Sequence, residues 1–377
     1  MDSVMGVVLP RECSSYCLDC NYKYNNNDYL QPLTSRRPLL AVPFGGRYRM
    51  IDFALSNLVN AGAVNVGVLA QRERSQALLD HLRQERDWQL AHRRDGLFVL
   101  LSRHFGRGCG GSVRALAEQR SYFERSRQRN VIIADGNIVG SFNLGEVLRR
   151  HLAAGADVTL LYQDGPGGER LTGLPGLEVA ADGRVTGLTA ADGKGKPFLG
   201  VLVMSRGLLL DLLAANGRRL DLVRDLIGGR LAQMNVYGCG HQGYAARVAS
   251  IADFYRRNLD LLDRGVWTEL FGTARKIWTR TECDPPVRYL AGAQVANALL
   301  AEGCVIAGQI EGSVLYRGAK VEKGARVKNS VLLPGVVVGR EAEVEFAVLD
   351  KEAAVRPGSA VRGCPDRPAV VAKGMVV

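Results

Sequence analysis

The sequence has no apolar run near the roughly 20 residues that a membrane-spanning helix needs. Its first residues, MDSVMGVVLP, contain neither the basic start nor the long apolar stretch of an export signal. Helix-turn-helix, aromatic RNA-binding and zinc-finger patterns are absent as well. These absences predict a cytoplasmic protein that has neither a membrane partner nor a nucleic-acid partner.

Basic residues outnumber acidic ones, 49 to 38, which gives a formal charge of +11 over 377 residues, and arginine is far commoner than lysine. Guanidinium groups suit two-pronged binding of phosphates. Because the arginines are scattered and form no single stripe, we favour anionic metabolites over nucleic acid as ligands. With 47% hydrophobic and 23% charged residues, the chain is long enough for two domains with a sizeable core.

Eight cysteines in a chain without an export signal predict reduced thiols instead of disulfide bonds. Cys13, Cys17 and Cys20 form CxxxCxxC, a spacing that resembles the iron-sulfur ligands of enzymes that use S-adenosylmethionine. That class usually has an aromatic residue where this chain has Asp19, and its barrel pattern does not follow. We therefore favour a loop with incidental thiols, and a bound metal is the alternative.

Apolar runs alternate with amphipathic segments over the first two thirds of the chain. The predicted strands are 4–9, 64–70, 130–134 and 158–162, and the predicted helices are 51–61, 75–83, 113–127, 144–154 and 251–263. This alternation predicts an α/β fold with a mostly parallel sheet and helices on both faces. Ligands bind such sheets beyond the carboxyl ends of the strands, so we expect the chemistry in the turns after Leu9 and Ala134.

The last third of the chain changes to short apolar steps with a period of six. Leu315, Val321, Val327 and Leu333 lie six apart, and the period resumes at Val338 after one slip in register. This pattern predicts a left-handed parallel β-helix built from hexapeptide repeats, and a meander of short strands is the alternative.

Three regions follow from these two patterns. We expect an α/β domain at residues 1–250, a linker helix and connector at 251–290, and the β-helix at 291–377. Repeats of this kind cannot bury their core singly, so an end coil needs a cap or a neighbouring subunit. We therefore expect an oligomer.

Residues 33–62, LTSRRPLLAVPFGGRYRMIDFALSNLVNAG, join an arginine-rich turn, a Phe-Gly-Gly approach point and a helix. This block is closely similar to the PLT and RxxPxxxFGGxxRxIDFxLSNxxNxG segments of the ADP-glucose pyrophosphorylases, which condense ATP with glucose 1-phosphate. The segments DFYRRNLDLL, DPPVRY and EGSVLYRGAKV extend the resemblance over nearly the whole chain. The resemblance implies a nucleotidyltransferase-like α/β domain followed by a left-handed β-helix.

The family's nucleotide loop and metal ligands are altered in this chain. Active members have a GGxGTRL loop after the first strand, where glycines let the backbone approach the triphosphate; here Pro10, Arg11 and a longer insertion follow, and Tyr29 stands at the position of the catalytic arginine. The aspartates that hold magnesium correspond to Gly136 and Arg247.

Two functional lysines of the family are also replaced. One corresponds to Leu39, and the other, which binds the sugar phosphate, corresponds to a position near Ala191, with Lys194 and Lys196 as candidates to compensate. The resemblance therefore implies a catalytically deficient, regulatory subunit of the GlgD type, which we expect to bind no cofactor while magnesium serves a catalytic partner.

By the same resemblance, the chain pairs with a catalytic ADP-glucose pyrophosphorylase subunit in a heterotetramer of glycogen synthesis. Two alternatives remain open. An active nucleotidyltransferase could use Asp135 and a rebuilt nucleotide loop, and a stand-alone sensor could bind sugar phosphates without an enzyme partner.

Candidate ligand residues lie in two segments. Arg36, Arg37, Arg47 and Arg49 flank the turn where active relatives bind phosphates or a sugar-bisphosphate activator, and a solvated basic turn is the alternative. Gly108 corresponds to a glycine of the family's nucleotide loop. These residues predict a site for a sugar-phosphate or nucleotide effector.

Overall fold

The computed structural model describes residues 4–10, 30–83, 85–90, 95–102, 112–190, 194–214, 221–272 and 275–377. These residues form an α/β unit followed by a parallel β-helix, as the sequence predicts. No helix among them is long and apolar enough to cross a membrane.

Strands and helices alternate through the α/β unit. The strands are β1 (Val4–Leu9), β2 (Pro43–Phe44), β3 (Tyr48–Arg49), β4 (Asn65–Gln71), β5 (Gly96–Ser102), β6 (Asn130–Asp135), β7 (Ile138–Gly140), β8 (Val158–Gln163), β9 (Gly176–Val179), β10 (Val185–Thr189), β11 (Lys196–Ser205), β12 (Val236–His241) and β13 (Ala245–Arg247). The helices are α1 (Met50–Asn60), α2 (Gln76–Leu82), α3 (Ser112–Ala117), α4 (Arg120–Arg125), α5 (Leu144–Ala153), α6 (Arg206–Ala214), α7 (Ile251–Leu259) and α8 (Arg264–Phe271).

The main sheet of the α/β unit is mixed. Strands β6, β1, β4 and β5 are parallel neighbours in that order. The alternation predicts β1, β4 and β6, whereas β5 was not predicted. Strand β11 then joins β6 in antiparallel register, β8 joins β11 in the same way, and β12 runs parallel to β8. The prediction of a mostly parallel sheet holds for the amino-terminal strands.

Helix α1 shows why the predicted elements form where they do. Residues 50–58 of the helix are buried, and the carboxylate of Asp52 in the first turn accepts a hydrogen bond from the Arg49 backbone N–H at 2.9 Å. The helix predicted at 113–127 is instead two helices, α3 and α4, separated at residues 118–119. Helix α8 and the antiparallel strands were not predicted.

The β-helix consists of three parallel five-stranded sheets. The first sheet contains β14 (Arg288–Tyr289), β17 (Val305–Ile306), β20 (Lys320–Val321), β23 (Val337–Val338) and β26 (Ala354–Val355). The second contains β15 (Gln294–Ala296), β18 (Gln309–Glu311), β21 (Arg326–Lys328), β24 (Glu343–Glu345) and β27 (Ala360–Arg362). The third contains β16 (Leu299–Leu300), β19 (Val314–Leu315), β22 (Val331–Leu332), β25 (Ala347–Leu349) and β28 (Ala369–Val371). The first strand, β14, therefore begins inside the predicted connector.

The slip in the six-residue period has a structural cause. Val321 pairs with Val338, and Val338 pairs with Val355, so these coils advance by 17 residues and each contains one shortened repeat. Leu332 occupies the interior of the β-helix, whereas Leu333 packs against the α/β unit. A strict six-residue spacing would place Leu333 in that interior, but its neighbour Leu332 occupies the position.

The third sheet of the β-helix is apolar on both faces. Leu315, Leu332 and Leu349 point into the β-helix interior. The alternate residues, Val314, Val331 and Val348, belong to a second apolar cluster that also contains residues of α1 and α7. The β-helix is therefore held against the α/β unit by a continuous apolar contact.

A buried polar junction lies within this contact. The Tyr316 hydroxyl donates to Asn258 Oδ1 at 2.5 Å, and the same oxygen accepts from the Gly45 backbone N–H at 3.1 Å. Asn258 Nδ2 donates back to the Phe254 carbonyl at 2.8 Å. One amide thus joins the β-helix, helix α7 and the turn between β2 and β3.

We expect Tyr316→Phe to lower the free energy of unfolding by about 1 kcal/mol, because it removes one buried hydrogen bond and keeps the ring. Tyr316→Ala should cost about 3–5 kcal/mol through the cavity that it leaves. Urea unfolding followed by circular dichroism measures both. Tyr289→Phe is the matched control, since that ring is 60% exposed; equal effects at the two tyrosines would contradict the junction.

Candidate functional site

The Phe-Gly-Gly approach point is a tight hairpin between β2 and β3. Gly45 and Gly46 have φ of +62° and +83°, a region that favours glycine. A Cβ on Gly45 would lie 2.9 Å from Leu261 Cδ1, and one on Gly46 would lie 2.8 Å from Leu299 Cδ2. The two glycines therefore let the turn approach both the α7 end and the first coil of the β-helix.

A cavity of about 360 Å³ opens beside this hairpin, between the α/β unit and the β-helix. We call it the basic pocket. Its cationic lining residues are Arg36, Arg37, Arg47, Arg49, Arg280, Arg317, Lys351 and Lys373, and its carboxylates are Glu282, Asp284 and Asp350. All four arginines predicted from the turn line the same cavity.

The carboxylates of the basic pocket are engaged in ion pairs. Arg317 bonds Glu282, and its guanidinium lies 3.1 Å from Asp284. Arg37 is paired with Asp350 across the contact between the α/β unit and the β-helix. Arg36 and Arg47, at the exposed rim, form no ion pair among the described residues, so excess positive charge faces the cavity.

Arg49 lies deeper in the basic pocket. Its Nη1 donates to the Ala77 carbonyl at 2.7 Å. Burial lowers the pKa of the Arg49 guanidinium, and the nearby Arg37 and Arg280 lower it further, although Asp52 and Glu282 act in the opposite sense. A bound anion would stabilise this partly desolvated cation, so the position suits an anionic ligand.

The connector at residues 275–287 forms one wall of the basic pocket and is fixed to helix α1. Three polar side chains, four residues apart on one face of the helix, bond it in turn. Asp52 accepts from Thr279 Oγ1 at 2.6 Å, Ser56 Oγ accepts from the Trp278 N–H at 2.7 Å, and Asn60 Nδ2 donates to the Lys276 carbonyl at 3.0 Å.

His81 of helix α2 also lines the basic pocket, where it contacts Asp52 of α1. His81 Nε2 lies 2.7 Å from Asp52 Oδ1, and both side chains are buried. The imidazole lines the cavity. Asp52 therefore holds the connector, the start of α1 and one wall of the pocket in a single arrangement.

The predicted catalytic region lies elsewhere, at the carboxyl ends of β1 and β6. Gly136 follows β6, and its N–H bonds the Leu9 carbonyl at 2.9 Å. A Cβ on Gly136 would overlap Leu40 Cδ2 and would lie 3.3 Å from Val8 Cγ1. Leu40 is fully buried. The space that an aspartate side chain would need is therefore filled by a leucine methyl group.

Asp135, the alternative carboxylate, points elsewhere. Its side chain is 3% exposed and lies against Gly200 of β11, where an added Cβ would overlap the carboxylate. Adjacent residues of an extended chain point to opposite faces, so the Asp135 carboxylate points away from the space that a side chain at residue 136 would enter.

Arg247, at the end of β13, is buried and holds a neighbouring turn. Its Nη1 donates to the Thr172 carbonyl at 3.0 Å, and the guanidinium packs against Gly173. Strand β13 pairs with β7, so Arg247 lies opposite Ile138, two residues from Gly136.

These positions do not fit magnesium. The positions predicted to correspond to the two family aspartates hold a glycine covered with a leucine methyl group and a guanidinium, and neither supplies the oxygen ligands that magnesium needs. Among the described residues, no three His, Cys, Asp or Glu side chains form a group that could hold a metal.

Several predicted residues lie outside the described part of the chain. These are Tyr29, Gly108, Ala191 and the cysteine cluster Cys13, Cys17 and Cys20. Leu39, which is predicted to stand at the position of a family lysine, is buried in the apolar cluster beside the hairpin. Of the two lysines that could compensate for the family lysine missing near Ala191, Lys196 binds Asp164 at 2.7 Å and lies over the Tyr162 ring.

Half of the cationic residues that line the basic pocket were not predicted from the sequence. Arg280 comes from the connector, and Arg317, Lys351 and Lys373 come from three coils of the β-helix. The SVLYRG segment around Arg317 was recognised only as a family feature. The i, i+4, i+8 spacing of Asp52, Ser56 and Asn60 in α1 is the one local signal that could have indicated a polar contact.

Comparisons with known proteins match both parts of the chain. A family model described as Nucleotidyl transferase matches residues 28–169, and one described as GlmU-like, C-terminal hexapeptide matches residues 288–367. The first covers the arginine turn and β6, and the second covers the coils of the β-helix.

Similar full-length proteins cover nearly the whole chain. The glycogen biosynthesis protein GlgD of Geobacillus stearothermophilus is 34% identical over 92% of this chain and 93% of its own. The GlgD of Bacillus subtilis (strain 168) is 29% identical over 95% of each chain. The glucose-1-phosphate adenylyltransferase of Thermomicrobium roseum is 32% identical over 86% of this chain and 78% of its own. The fold, the two family models and these relatives together show that the chain belongs to the family of GlgD proteins and glucose-1-phosphate adenylyltransferases, that is, the ADP-glucose pyrophosphorylases.

Proposed function

We propose that this chain is a non-catalytic, regulatory subunit of glucose-1-phosphate adenylyltransferase that acts in glycogen biosynthesis. It binds a catalytic subunit of the same family and changes that subunit's activity. The names of the relatives support the pathway, and the geometry of the catalytic region supports the absence of catalysis.

The observation that carries the proposal is the packing of Leu40 against Gly136. A nucleotidyltransferase must neutralise the phosphates of its nucleotide with a metal held by carboxylates. Here the space that such a carboxylate would need at residue 136 is filled by the apolar side chain of Leu40. Arg247 adds a positive charge where the second carboxylate would lie. Restoring a metal site would require repacking the core as well as changing two residues.

The basic pocket supports a regulatory role. Its position between the α/β unit and the β-helix means that a bound anion would contact both parts. A ligand can shift a conformational equilibrium only if it contacts the two states differently, and a cavity between two packed units offers such a difference. We propose a sugar-phosphate or nucleotide as the class of effector.

The first coil of the β-helix supports an enzyme partner. Tyr289, Val295 and Leu300 occupy the positions that Ile306, Ile310 and Leu315 fill in the next coil. Yet Tyr289 is 60% and Val295 is 38% exposed. Among the described residues, no strand pairs with the outer edges of β14, β15 and β16. This apolar, unpaired end lacks a cover.

We propose that the corresponding first coil of the catalytic subunit covers this end. The relatives extend over 86–95% of this chain, so they include the region of the coils. At the opposite end, the Ala354 N–H bonds the Met375 carbonyl at 2.8 Å, and the Val377 N–H bonds the Ala354 carbonyl at 2.9 Å. Residues 375–377 thus already cover part of that edge, which favours the first coil as the interface.

The function is tested by an assay of ADP-glucose synthesis with three samples: this chain alone, the catalytic subunit of the same organism alone, and the two co-expressed. We expect no synthesis by the isolated chain, co-purification of the pair, and altered kinetics in the complex. Magnesium-dependent release of pyrophosphate by the isolated chain would favour the active enzyme that uses Asp135. Effector binding by a chain that does not co-purify with the catalytic subunit and does not alter its kinetics would favour the stand-alone sensor.

We expect Gly136→Asp to destabilise the chain by about 3–5 kcal/mol, because it overlaps Leu40 and buries a charge without a partner. Leu40→Ala should relieve the overlap, so the double variant should be less destabilised than the sum of the single variants. Urea unfolding measures the cycle. Gly207→Asp is the control, because a Cβ there meets no atom within 4 Å. Equal costs at Gly136 and Gly207 would contradict the filled site.

We expect Tyr289→Ser to weaken the complex with the catalytic subunit by about 2 kcal/mol, the cost typical of losing an aromatic anchor. Because Tyr289 is exposed, this substitution should change the free energy of unfolding of the isolated chain little. Affinity measured by surface plasmon resonance checks this. Phe98→Ser, at an aromatic residue that is 41% exposed on β5, serves as the control. An unchanged affinity for Tyr289→Ser would place the interface elsewhere.

A further inference from the structure

We propose that Asp350 is a built-in competitor for the anionic ligand of the basic pocket. Its carboxylate occupies Arg37 in the absence of ligand, and an incoming phosphate group must take its place. This inference rests on the anionic effector of the proposed function and concerns the regulation of that same pocket.

The pair is buried and fixed from the β-helix side. The side chains of Arg37 and Asp350 are 8% and 2% exposed. Asp350 lies in the turn between β25 and β26, where its N–H bonds the Val371 carbonyl at 2.8 Å and its carbonyl accepts from the Ala353 N–H at 3.0 Å. Its Oδ1 also accepts from the Lys351 N–H at 2.6 Å. The carboxylate is therefore held in place toward Arg37.

The other carboxylates of the basic pocket do not have this role. Glu282 and Asp284 are engaged with Arg317, which comes from the β-helix. Of the lining carboxylates, Asp350 is the one paired with an arginine of the turn. It therefore stands in the part of the cavity where Arg36, Arg37, Arg47 and Arg49 supply positive charge.

A phosphate oxygen and a carboxylate oxygen bind a guanidinium in the same way, through charge-assisted hydrogen bonds. An anion that reaches Arg37 replaces the bond to Asp350 and meets the repulsion of the displaced carboxylate. The displaced group remains buried, which is unfavourable unless a lysine such as Lys351 takes over. Asp350 thus lowers the affinity of the pocket for anions.

This competition also connects ligand binding to the contact between the two parts of the protein. The Arg37–Asp350 pair joins the arginine turn to the β-helix. An anion that separates the pair removes one of the bonds across that contact, so ligand binding and interdomain contact oppose each other. The device explains how a small anion in the basic pocket can act on the arrangement of the β-helix.

The test is isothermal titration of the full chain with inorganic pyrophosphate. We expect Asp350→Asn to bind pyrophosphate about tenfold more tightly than the unaltered chain, because the amide keeps the shape and loses the charge. The gain should disappear in Asp350→Asn combined with Arg37→Gln. Glu311→Gln, on the outer face of β18 and outside the pocket, removes the same charge and should leave the affinity unchanged.

The outcomes separate this inference from the proposed function. If Asp350→Asn binds no more tightly, or if the gain persists without Arg37, Asp350 is not a competitor. If no variant binds pyrophosphate, both the competition and the anionic effector are overturned, whereas co-purification with a catalytic subunit tests the regulatory subunit independently. Circular dichroism checks folding, and Asp350→Ser, which keeps a small polar group, replaces the asparagine variant if that one fails to fold.

Discussion

The third sheet of the β-helix is apolar on both faces, and this double burial determines how the rest of the protein is arranged. Leucines at alternate positions fill the β-helix, while the valines between them pack on the α/β unit. Because strand side chains alternate, neither set can turn away without exposing the other. The polar junction of Tyr316 and Asn258 then fixes the relative position of the two parts. The basic pocket opens at the margin of this contact, so its shape depends on apolar packing that lies outside it.

The absence of catalysis that we propose for this chain is a matter of packing as much as of missing ligands. The Leu39–Ala41 turn places Leu40 over Gly136, and the core closes where a metal site would need polar, hydrated space. At Arg247 the guanidinium is used to hold the Thr172 turn. In the proposed function, these two positions therefore serve the packing of the protein, and restoring a metal site there would be costly. The same scaffold still presents the arginine turn, whose residues line a cavity in the α/β unit's contact with the β-helix.

Local patterns predicted the elements, and contacts distant in sequence decided what was missed. The helix at 51–61 differs from α1 by one residue at each end, since its apolar period and the Asp52 cap are both local. Leu332 and Leu333 are adjacent and equally apolar, and no local rule tells which one enters the β-helix when both faces are buried. The break between α3 and α4 occurs at Glu118 and Gln119, without the glycine or proline that usually marks one. For the site, four arginines close in sequence were predicted together, but Arg280, Arg317, Lys351 and Lys373 reach the pocket only through the fold.

The polar face of α1 has a consequence for exchanging parts between relatives. Asp52, Ser56 and Asn60 hold residues 276–279 along the helix, so this stretch belongs structurally to the α/β unit although it leads into the β-helix. A chimera that takes the β-helix from another family member should therefore be joined after Thr281, whose N–H still bonds Asp87 of the α/β unit at 3.1 Å. Joining before residue 275 would instead replace residues 276–279 by a segment from the other protein. The side chains and carbonyls of that segment would have to match the polar face of α1, with which they did not evolve.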